Sequence, residues 1–291
     1  MMTPLSIAYL GPPGTYTEQA ALNYADWLQR KHSCDPPILK PEPTIAQTVL
    51  ALAQGNVSLA VVPVENSLEG GVSLTLDSLW KIEDLKVYQA FILPINHMFI
   101  TQTTDFSQIV AVYSHPQPLG QCQDWLSATV PQAQLIPTSS TAEALKYVMD
   151  QRQVGAIASE RAAWLHQLPI QARSIQDHPD NCTKFWVLTR QKDCPLQSPG
   201  IATHTSLAFS VDQNIPGALL SPLRVFAQRQ INLSRIESRP AKTALGDYVF
   251  FVDAEIGEET ALFQEALQDL YRSTNVLKVL GSYNLVSFAR L

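Results

Sequence analysis

Residues 1–190 alternate short apolar runs with amphipathic stretches. Leu5–Leu10 reads as a strand and Gly11-Pro12-Pro13-Gly14 as a turn. Thr15 and Glu18 have capping-box spacing, which predicts a helix carried by Ala20, Ala21, Tyr24, Ala25 and Leu28. A second helix is predicted from about Thr44 to Gln54, with Gly55 closing it. Leu59–Val64 is a nearly unbroken apolar strand, the pattern of a parallel sheet covered on both faces. Ile109–Tyr113, Gln134–Ile136 and Val154–Ala158 repeat the theme, with helices from about Pro116, from Ser140 (a second capping box, with Glu143) and from Ser159. This is an α/β pattern with parallel sheets.

From Gln191 the pattern stops. Two prolines, a glycine and polar residues before His204 mark a linker, with the boundary near residue 200. Beyond it the order is strand (Ser206–Val211), helix (about Pro216–Arg229), strands (Ile231–Glu237 and Asp247–Asp253), helix (Glu258–Tyr271) and strand (Val276–Tyr283). That βαββαβ order predicts an α+β ferredoxin-like unit. The chain therefore divides into 1–190, a linker at 191–203, and 204–291. Pro222 falls inside the first helix of the second unit, which requires a late start or a kink.

Composition narrows the class. Of 291 residues 46% are apolar and 16% charged, with 20 basic against 26 acidic side chains and a net charge of −6. No basic stripe is present, which argues against nucleic acid as a partner. No run reaches the ~18 apolar residues of a membrane span, and the N-terminus lacks a positive n-region and an apolar h-region. Cys34, Cys122, Cys182 and Cys194 are scattered without a CxxC pair, so neither zinc nor a redox pair is indicated. Reduced thiols in a cytoplasmic protein fit this usage.

The polar residues of the first unit gather just beyond its predicted strands. They are Gly14, Thr15, Tyr16 and Thr17; Glu65, Asn66 and Ser67; Ser114, His115 and Gln117; Ser139, Ser140 and Thr141; and Ser159 with Glu160. Ligands of open α/β sheets bind at the carboxyl ends of strands, where helix N-termini favour small anions. Thr15 also reads as a simple cap, His115 as local structure before Pro116, and Glu65 as a surface acid. GPPGT has neither dinucleotide nor P-loop spacing. Spacing alone leads as far as a small anionic ligand in a cleft.

The motifs go further. Gly11-Pro12-Pro13-Gly14-Thr15-Tyr16-Thr17 resembles the GPxGTxS/T start of prephenate dehydratases. Val62-Pro63-Val64-Glu65-Asn66-Ser67, with Gly70-Gly71-Val72 and Thr75-Leu76-Asp77, is similar to their VPIENSxxGxVxxTLD segment. Ser114-His115-Pro116-Gln117 with Leu119, Gln121 and Cys122 resembles SHPQALxQC, with Pro118 and Gly120 in place of the alanines. Asn181-Cys182-Thr183-Lys184-Phe185 resembles NxTRF, with Lys184 in place of arginine and so without the planar fork. Gly217-Ala218-Leu219, Ile231-Asn232-Leu233 and Glu237-Ser238-Arg239-Pro240 resemble the GAL and ESRP signatures of an ACT regulatory domain.

The resemblance covers nearly the whole chain, in order. It implies a catalytic domain of two α/β lobes, like a periplasmic binding protein. One lobe would hold 1 to about 85 plus 176–190, and Val87–Ile100 would make the first crossing. The implied reaction turns prephenate into phenylpyruvate, water and carbon dioxide; aromatisation drives it, so no cofactor or metal is expected. Thr183 would donate to the leaving hydroxyl, as a strong donor or within a relay, and Glu65 would supply the proton if burial raised its pKa. Asn66, Ser114 and Gln121 would fix the substrate, joined by Gly14, Thr15, Ser67, Lys184 and Phe185. Phenylalanine would bind where ACT domains meet, at Gly217, Ala218, Leu219, Asn232, Glu237, Ser238, Arg239 and Pro240, and inhibit. A homodimer or homotetramer is implied. Arogenate dehydration, a non-catalytic binding module and a purely regulatory sensor are the alternative readings.

Overall fold

The apolar runs of residues 1–190 become strands of two sheets, seen in a computed structural model. It describes residues 4–32, 35–192, 194–196, 200–211, 215–242 and 246–287. The chain opens with β1 (Ser6–Leu10), α1 (Tyr16–His32), β2 (Ile38–Glu42), α2 (Ile45–Ala53), β3 (Leu59–Asn66), β4 (Gly70–Gly71), α3 (Ser73–Lys81) and β5 (Leu85–Pro94). It continues with β6 (Met98–Thr101), β7 (Ala111–Ser114), α4 (Pro116–Gln121), α5 (Gln123–Thr129), β8 (Gln134–Pro137), α6 (Thr141–Asp150), β9 (Val154–Ala158), α7 (Glu160–Leu165) and β10 (Ile170–Ala172). Both caps form, with Thr15 Oγ1 accepting from Glu18 N at 3.2 Å and Ser140 Oγ from Glu143 N at 3.1 Å, while each glutamate reaches back one residue further, to the N–H of Gly14 and of Ser139. Each box orients a helix N-terminus, that of α1 and that of α6, towards the space between the sheets.

The chain then returns in β11 (Cys182–Arg190). The first sheet has the order β5-β11-β3-β1-β2, and the second β10-β6-β9-β7-β8. β1 is parallel to β2 and β3, whereas β11 runs antiparallel to both β3 and β5. The sheets are thus mixed rather than parallel. The expected first crossing falls inside Val87–Ile100, but most of that stretch is the largely apolar and buried β5 and its end is β6. The chain passes between lobes within residues 95–97 and returns within 173–181. Alternation in β5 is hidden because both of its faces are covered.

The second unit follows as β12 (His204–Ser210), α8 (Leu220–Gln228), β13 (Leu233–Pro240), β14 (Tyr248–Ala254), α9 (Ala261–Ser273) and β15 (Val276–Tyr283), an antiparallel sheet in the order β13-β14-β12-β15. Helix α8 starts at Leu220 rather than near Pro216. Pro222 therefore lies in the first turn, where its missing N–H is not needed. The last strand, β16 (Leu285–Ser287), leaves this sheet and adds parallel to β5 of the first lobe. Part of the linker, residues 193 and 197–199, lies outside the described residues.

The two units share a core. Ala208, Val249, Phe251, Leu280 and Tyr283 of the second pack with Val87, Ala90, Trp186 and Leu188 of the first. Gly281 has φ +141, and a Cβ there would run into the Val87 backbone. A glycine is required because two strands approach at that point.

Candidate active site

Strand parity, interrupted once, decides which residues reach the cleft. Along β3, Val61 and Pro63 share a face, so strict alternation would place Glu65 beside them. The pairing with β11 breaks that alternation: Lys184 faces Glu65, but Phe185 faces Pro63, so Val64 is an extra residue. This bulge turns the face over. Pro63, Asn66, Thr183 and Phe185 line the cleft, while Glu65 and Lys184 point to the other side of the sheet.

The cleft between the lobes encloses about 1040 Å³. Asn66 and Gln121 are buried in its wall, among other amides. Asn66 Nδ2 lies 3.0 Å from Thr183 Oγ1, 2.9 Å from Asn181 Oδ1 and 3.1 Å from the Cys182 carbonyl. Asn66 Oδ1 in turn accepts from the N–H groups of Leu68 and Glu69. Asn181 Nδ2 donates to Gln121 Oε1 at 3.0 Å, and Gln121 Nε2 donates to Glu69 Oε1 at 3.2 Å. His97 Nε2 lies 3.0 Å from Gln121 Oε1, and His97 Nδ1 lies 2.7 Å from the Tyr16 hydroxyl. Burial lowers the His97 pKa despite the Gln121 hydrogen bond, and burial raises that of Tyr16. Both are neutral at pH 7. Among the described lining residues Lys146 is the one Lys or Arg and Glu69 and Glu143 are the carboxylates, so most of the donors in the wall are neutral.

Five expected residues therefore meet here: Thr15, Asn66, Gln121, Thr183 and Phe185. The others go elsewhere. Ser114 is fully buried and donates to the Ile157 carbonyl at 2.7 Å. Ser67 accepts from Cys182 N at 3.0 Å and ties β3 to β11. Gly14 packs on Ala162 of the other lobe, and its carbonyl accepts from Ser159 at 2.7 Å. Thr15 both caps α1 and donates to the Leu10 carbonyl at 3.1 Å. Tyr16, His97, Glu69 and Asn181 were not among the expected site residues. Tyr16 and Asn181 sit inside the quoted motifs, whereas His97 lies in the crossing between the lobes, outside every motif.

Glu65 and Lys184 belong to an ionic cluster against the second unit. Lys184 Nζ lies 2.8 Å from Asp253 Oδ2, and Arg235 grips the same carboxylate with Nε at 3.0 Å and Nη2 at 3.1 Å. Burial pushes the Asp253 carboxyl up, but the Arg235 and Lys184 cations outweigh it and hold it well below the usual range. The Glu65 carboxylate adds to what stabilises the Arg235 cation. Glu237 sits against Gly71, where a Cβ would collide with its carboxylate, and Arg239 Nε reaches Asp77 at 3.4 Å. Glu237 and Arg239 thus turn to the first lobe, while Ser238 and Pro240 are exposed. Gly217 has φ +85 in a turn that precedes α8. There Ala218 N donates to the Ile215 carbonyl and Leu220 N to the Gly217 carbonyl, and Leu219 is the α8 cap. Asn232 is exposed between α8 and β13.

Two lobes around an amide-lined cleft, fused to a ferredoxin-like unit, define an enzyme for a small anion with a regulatory domain attached. Residues 7–193 match the family model for prephenate dehydratase and residues 205–270 that for the ACT domain. The chain belongs to the prephenate dehydratase family. It is 38% identical over 279 residues to the bifunctional chorismate mutase/prephenate dehydratase of Aquifex aeolicus, covering 96% of this chain and 73% of that one. It is 33% identical to the prephenate dehydratase of Methanocaldococcus jannaschii, covering 96% and 97%. The crystal structure of prephenate dehydratase from Arthrobacter aurescens in complex with L-Phe superposes with a TM-score of 0.84 at 30% identity, covering 96% and 90%.

Proposed function

We propose that the cleft converts prephenate to phenylpyruvate, water and carbon dioxide, with Thr183 donating to the departing 4-hydroxyl. The observation that carries this role is the 3.0 Å approach of Asn66 Nδ2 to Thr183 Oγ1. A hydroxyl that accepts a hydrogen bond becomes a stronger donor. Among the described residues no protein group takes the Thr183 proton, so it is available to substrate. Glu69, held by Gln121, takes the part of proton source that the sequence suggested for Glu65. Asn66 and Gln121 orient the substrate through uncharged hydrogen bonds. The first turn of α1, whose N–H groups no helix carbonyl can take, receives a carboxylate with Lys146 nearby. Ile95, Val72 and Phe185 keep the ring carboxylate in apolar surroundings, which favours its loss as neutral carbon dioxide.

Residues 1–190 act as the catalytic domain and 204–291 as the regulatory one, joined by 191–203, with Leu285–Ser287 anchored on the catalytic sheet. The end of β11 at Arg190 and the start of β12 at His204 support these limits. Phenylalanine is the effector, which the L-Phe complex of the Arthrobacter protein supports. Its contacts would come from Gly217, Ala218, Leu219, Asn232, Ser238 and Pro240, with Glu237 and Arg239 linking them to the catalytic lobe. The assembly is a homodimer or homotetramer in the cytoplasm; no helix of the described residues is long and apolar enough to cross a membrane. Purified chain given prephenate should form phenylpyruvate, and millimolar phenylalanine should slow it. Preference for arogenate would reassign the substrate, and a rate indifferent to phenylalanine would remove the regulation.

A further inference from the structure

The amides of the cleft form a chain with a sense of direction, and one imidazole sits at its head. Gln121 Oε1 faces two nitrogens, His97 Nε2 and Asn181 Nδ2, each at 3.0 Å. A carbonyl oxygen can only accept, so both nitrogens must carry protons towards it. Asn181 has then used its amide nitrogen on Gln121, and its oxygen accepts from Asn66 Nδ2 at 2.9 Å. Asn66 in turn faces Thr183 Oγ1. Asn66 anchors the direction of the chain, because its Oδ1 accepts from the N–H groups of Leu68 and Glu69 and its Nδ2 faces the Cys182 carbonyl, while Gln121 Nε2 is committed to Glu69 Oε1.

The end of the chain at Gln121 Oε1 then requires His97 to carry a proton on Nε2. The ring is 1% exposed, so it is held in place rather than solvated. A neutral imidazole with its proton on Nε2 must accept at Nδ1, and Tyr16 Oη lies there at 2.7 Å. The Tyr16 hydroxyl has one proton and a competing acceptor, the Asn96 carbonyl at 2.9 Å. Donation to Asn96 would set a phenol lone pair against the Nδ1 lone pair, so the proton goes to Nδ1. The ring edge of Tyr16 meets His97 at a centroid distance of 5.6 Å, which fixes the orientation of the pair. The His97 backbone is pinned as well: its N–H donates to Gln176 Oε1 and its carbonyl accepts from Ile175 N, both at 3.0 Å.

We propose that His97, held in its Nε2–H tautomer by the Gln121 carbonyl oxygen, is a positioning residue that braces the Gln121–Asn181–Asn66 amide chain from its far end and so keeps the Thr183 hydroxyl aimed at substrate. This rests on Thr183 acting as donor. With the other tautomer, Nε2 would present a lone pair to Gln121 Oε1. Gln121 cannot turn its amide in answer, because Nε2 is held by Glu69 and Oε1 by Asn181, so the brace on the chain would be lost. Lone-pair contacts of this kind in a buried network cost as much as a lost hydrogen bond.

Two substitutions at His97 separate the two ring nitrogens. His97→Gln keeps a donor near the Nε2 position, and His97→Asn keeps an acceptor near Nδ1 while losing the donor to Gln121. We expect His97→Asn to lower kcat about 10-fold to 100-fold with little change in KM, less than the ~10²–10³ cost of removing a direct transition-state donor. His97→Gln should recover most of that loss. Tyr16→Phe, which leaves Nδ1 without its hydroxyl partner, should lower kcat in the same sense. NMR of the full-length protein with nitrogen-labelled histidine should show His97 protonated at Nε2 and bare at Nδ1 at neutral pH. Equal kcat for the Asn and Gln variants, or a ring protonated at Nδ1, overturns the proposal even if an Asn variant fails to fold. Wild-type chain that does not turn over prephenate would instead overturn the function on which it rests.

Discussion

Thr183 and Lys184 are adjacent in β11, and the sheet sends them into opposite environments. On the Thr183 side, Asn66, Asn181 and Gln121 form hydrogen bonds between neutral groups facing a wide cleft. On the Lys184 side, Asp253, Arg235 and Glu65 form a charged cluster roofed by the second unit, with Asp253 fully buried. The difference follows from what each face must do. A cleft that opens to water and receives an anion can hold it by many weak donors without burying charge. A permanent junction between domains excludes water, so its charges must be paired to remain. The same strand pair therefore faces the cleft on one side and the domain junction on the other, and Glu237 against Gly71 joins them, because Gly71 also lines the cleft.

Breaking the charged face should have the largest effect on stability. Asp253→Ala leaves Lys184 and Arg235 buried without their carboxylate, and a loss of about 3–5 kcal/mol is expected. Denaturant unfolding of the full chain measures it; a loss under about 1 kcal/mol would mean that the cluster is not a structural joint. Breaking the neutral face should spare the fold. Thr183→Ala is expected to lower kcat by ~10²–10³ with the unfolding midpoint nearly unchanged. Retention of half the wild-type kcat would take Thr183 out of the reaction.

Acid separates the faces next. Asp253 has its folded pKa below the ~3.9 of an unfolded aspartate. Its contribution is thus complete above about pH 4 and lost as pH falls towards the folded value, since the unfolded chain then binds the extra proton. Asp253→Asn should flatten the acid limb of stability against pH, and an unchanged limb would assign it to other carboxylates. The smallest effect sharpens the comparison. Glu65→Gln should leave kcat within about twofold, whereas Glu69→Gln should lower it by roughly 10-fold, a modest share of the ~10²–10⁴ typical of general acid–base groups. The reverse ranking would return the proton source to Glu65 and refute the bulge-based assignment.

Much of the fold was legible because its signals are local. The capping boxes at Thr15 and Ser140, the apolar run Leu59–Val64 and the βαββαβ order after residue 204 each depend on residues within a turn or a strand. The motifs likewise gave Asn66, Gln121 and Thr183. Errors arose where distant chain segments decide. Glu65 and Lys184 were read into the cleft because they share motifs with Asn66 and Thr183, but neighbours along a strand face opposite sides, and the bulge against β11 decides which side of β3 is the cleft's. Ser114 belongs to its motif yet spends its proton on Ile157, a partner 43 residues away. The Glu237–Pro240 segment reads as one site, but a strand divides it, with Glu237 and Arg239 on the side of the catalytic lobe and Ser238 and Pro240 in solvent.

By itself the sequence determined the elements, their order in two units, and the family of reactions to which the chain belongs, since hydrophobic period, caps and contiguous motifs are written along the backbone. The tertiary structure alone decided the rest. Trp186 and Phe251 bury in one core although one belongs to each unit, β16 returns to the edge of β5, and His97 meets Tyr16 and Gln121 from three separate segments. The physical reason is common to all three. Burial and hydrogen-bond partnership between residues far apart in sequence are properties of how surfaces pack, and packing has no period along the chain from which it can be read.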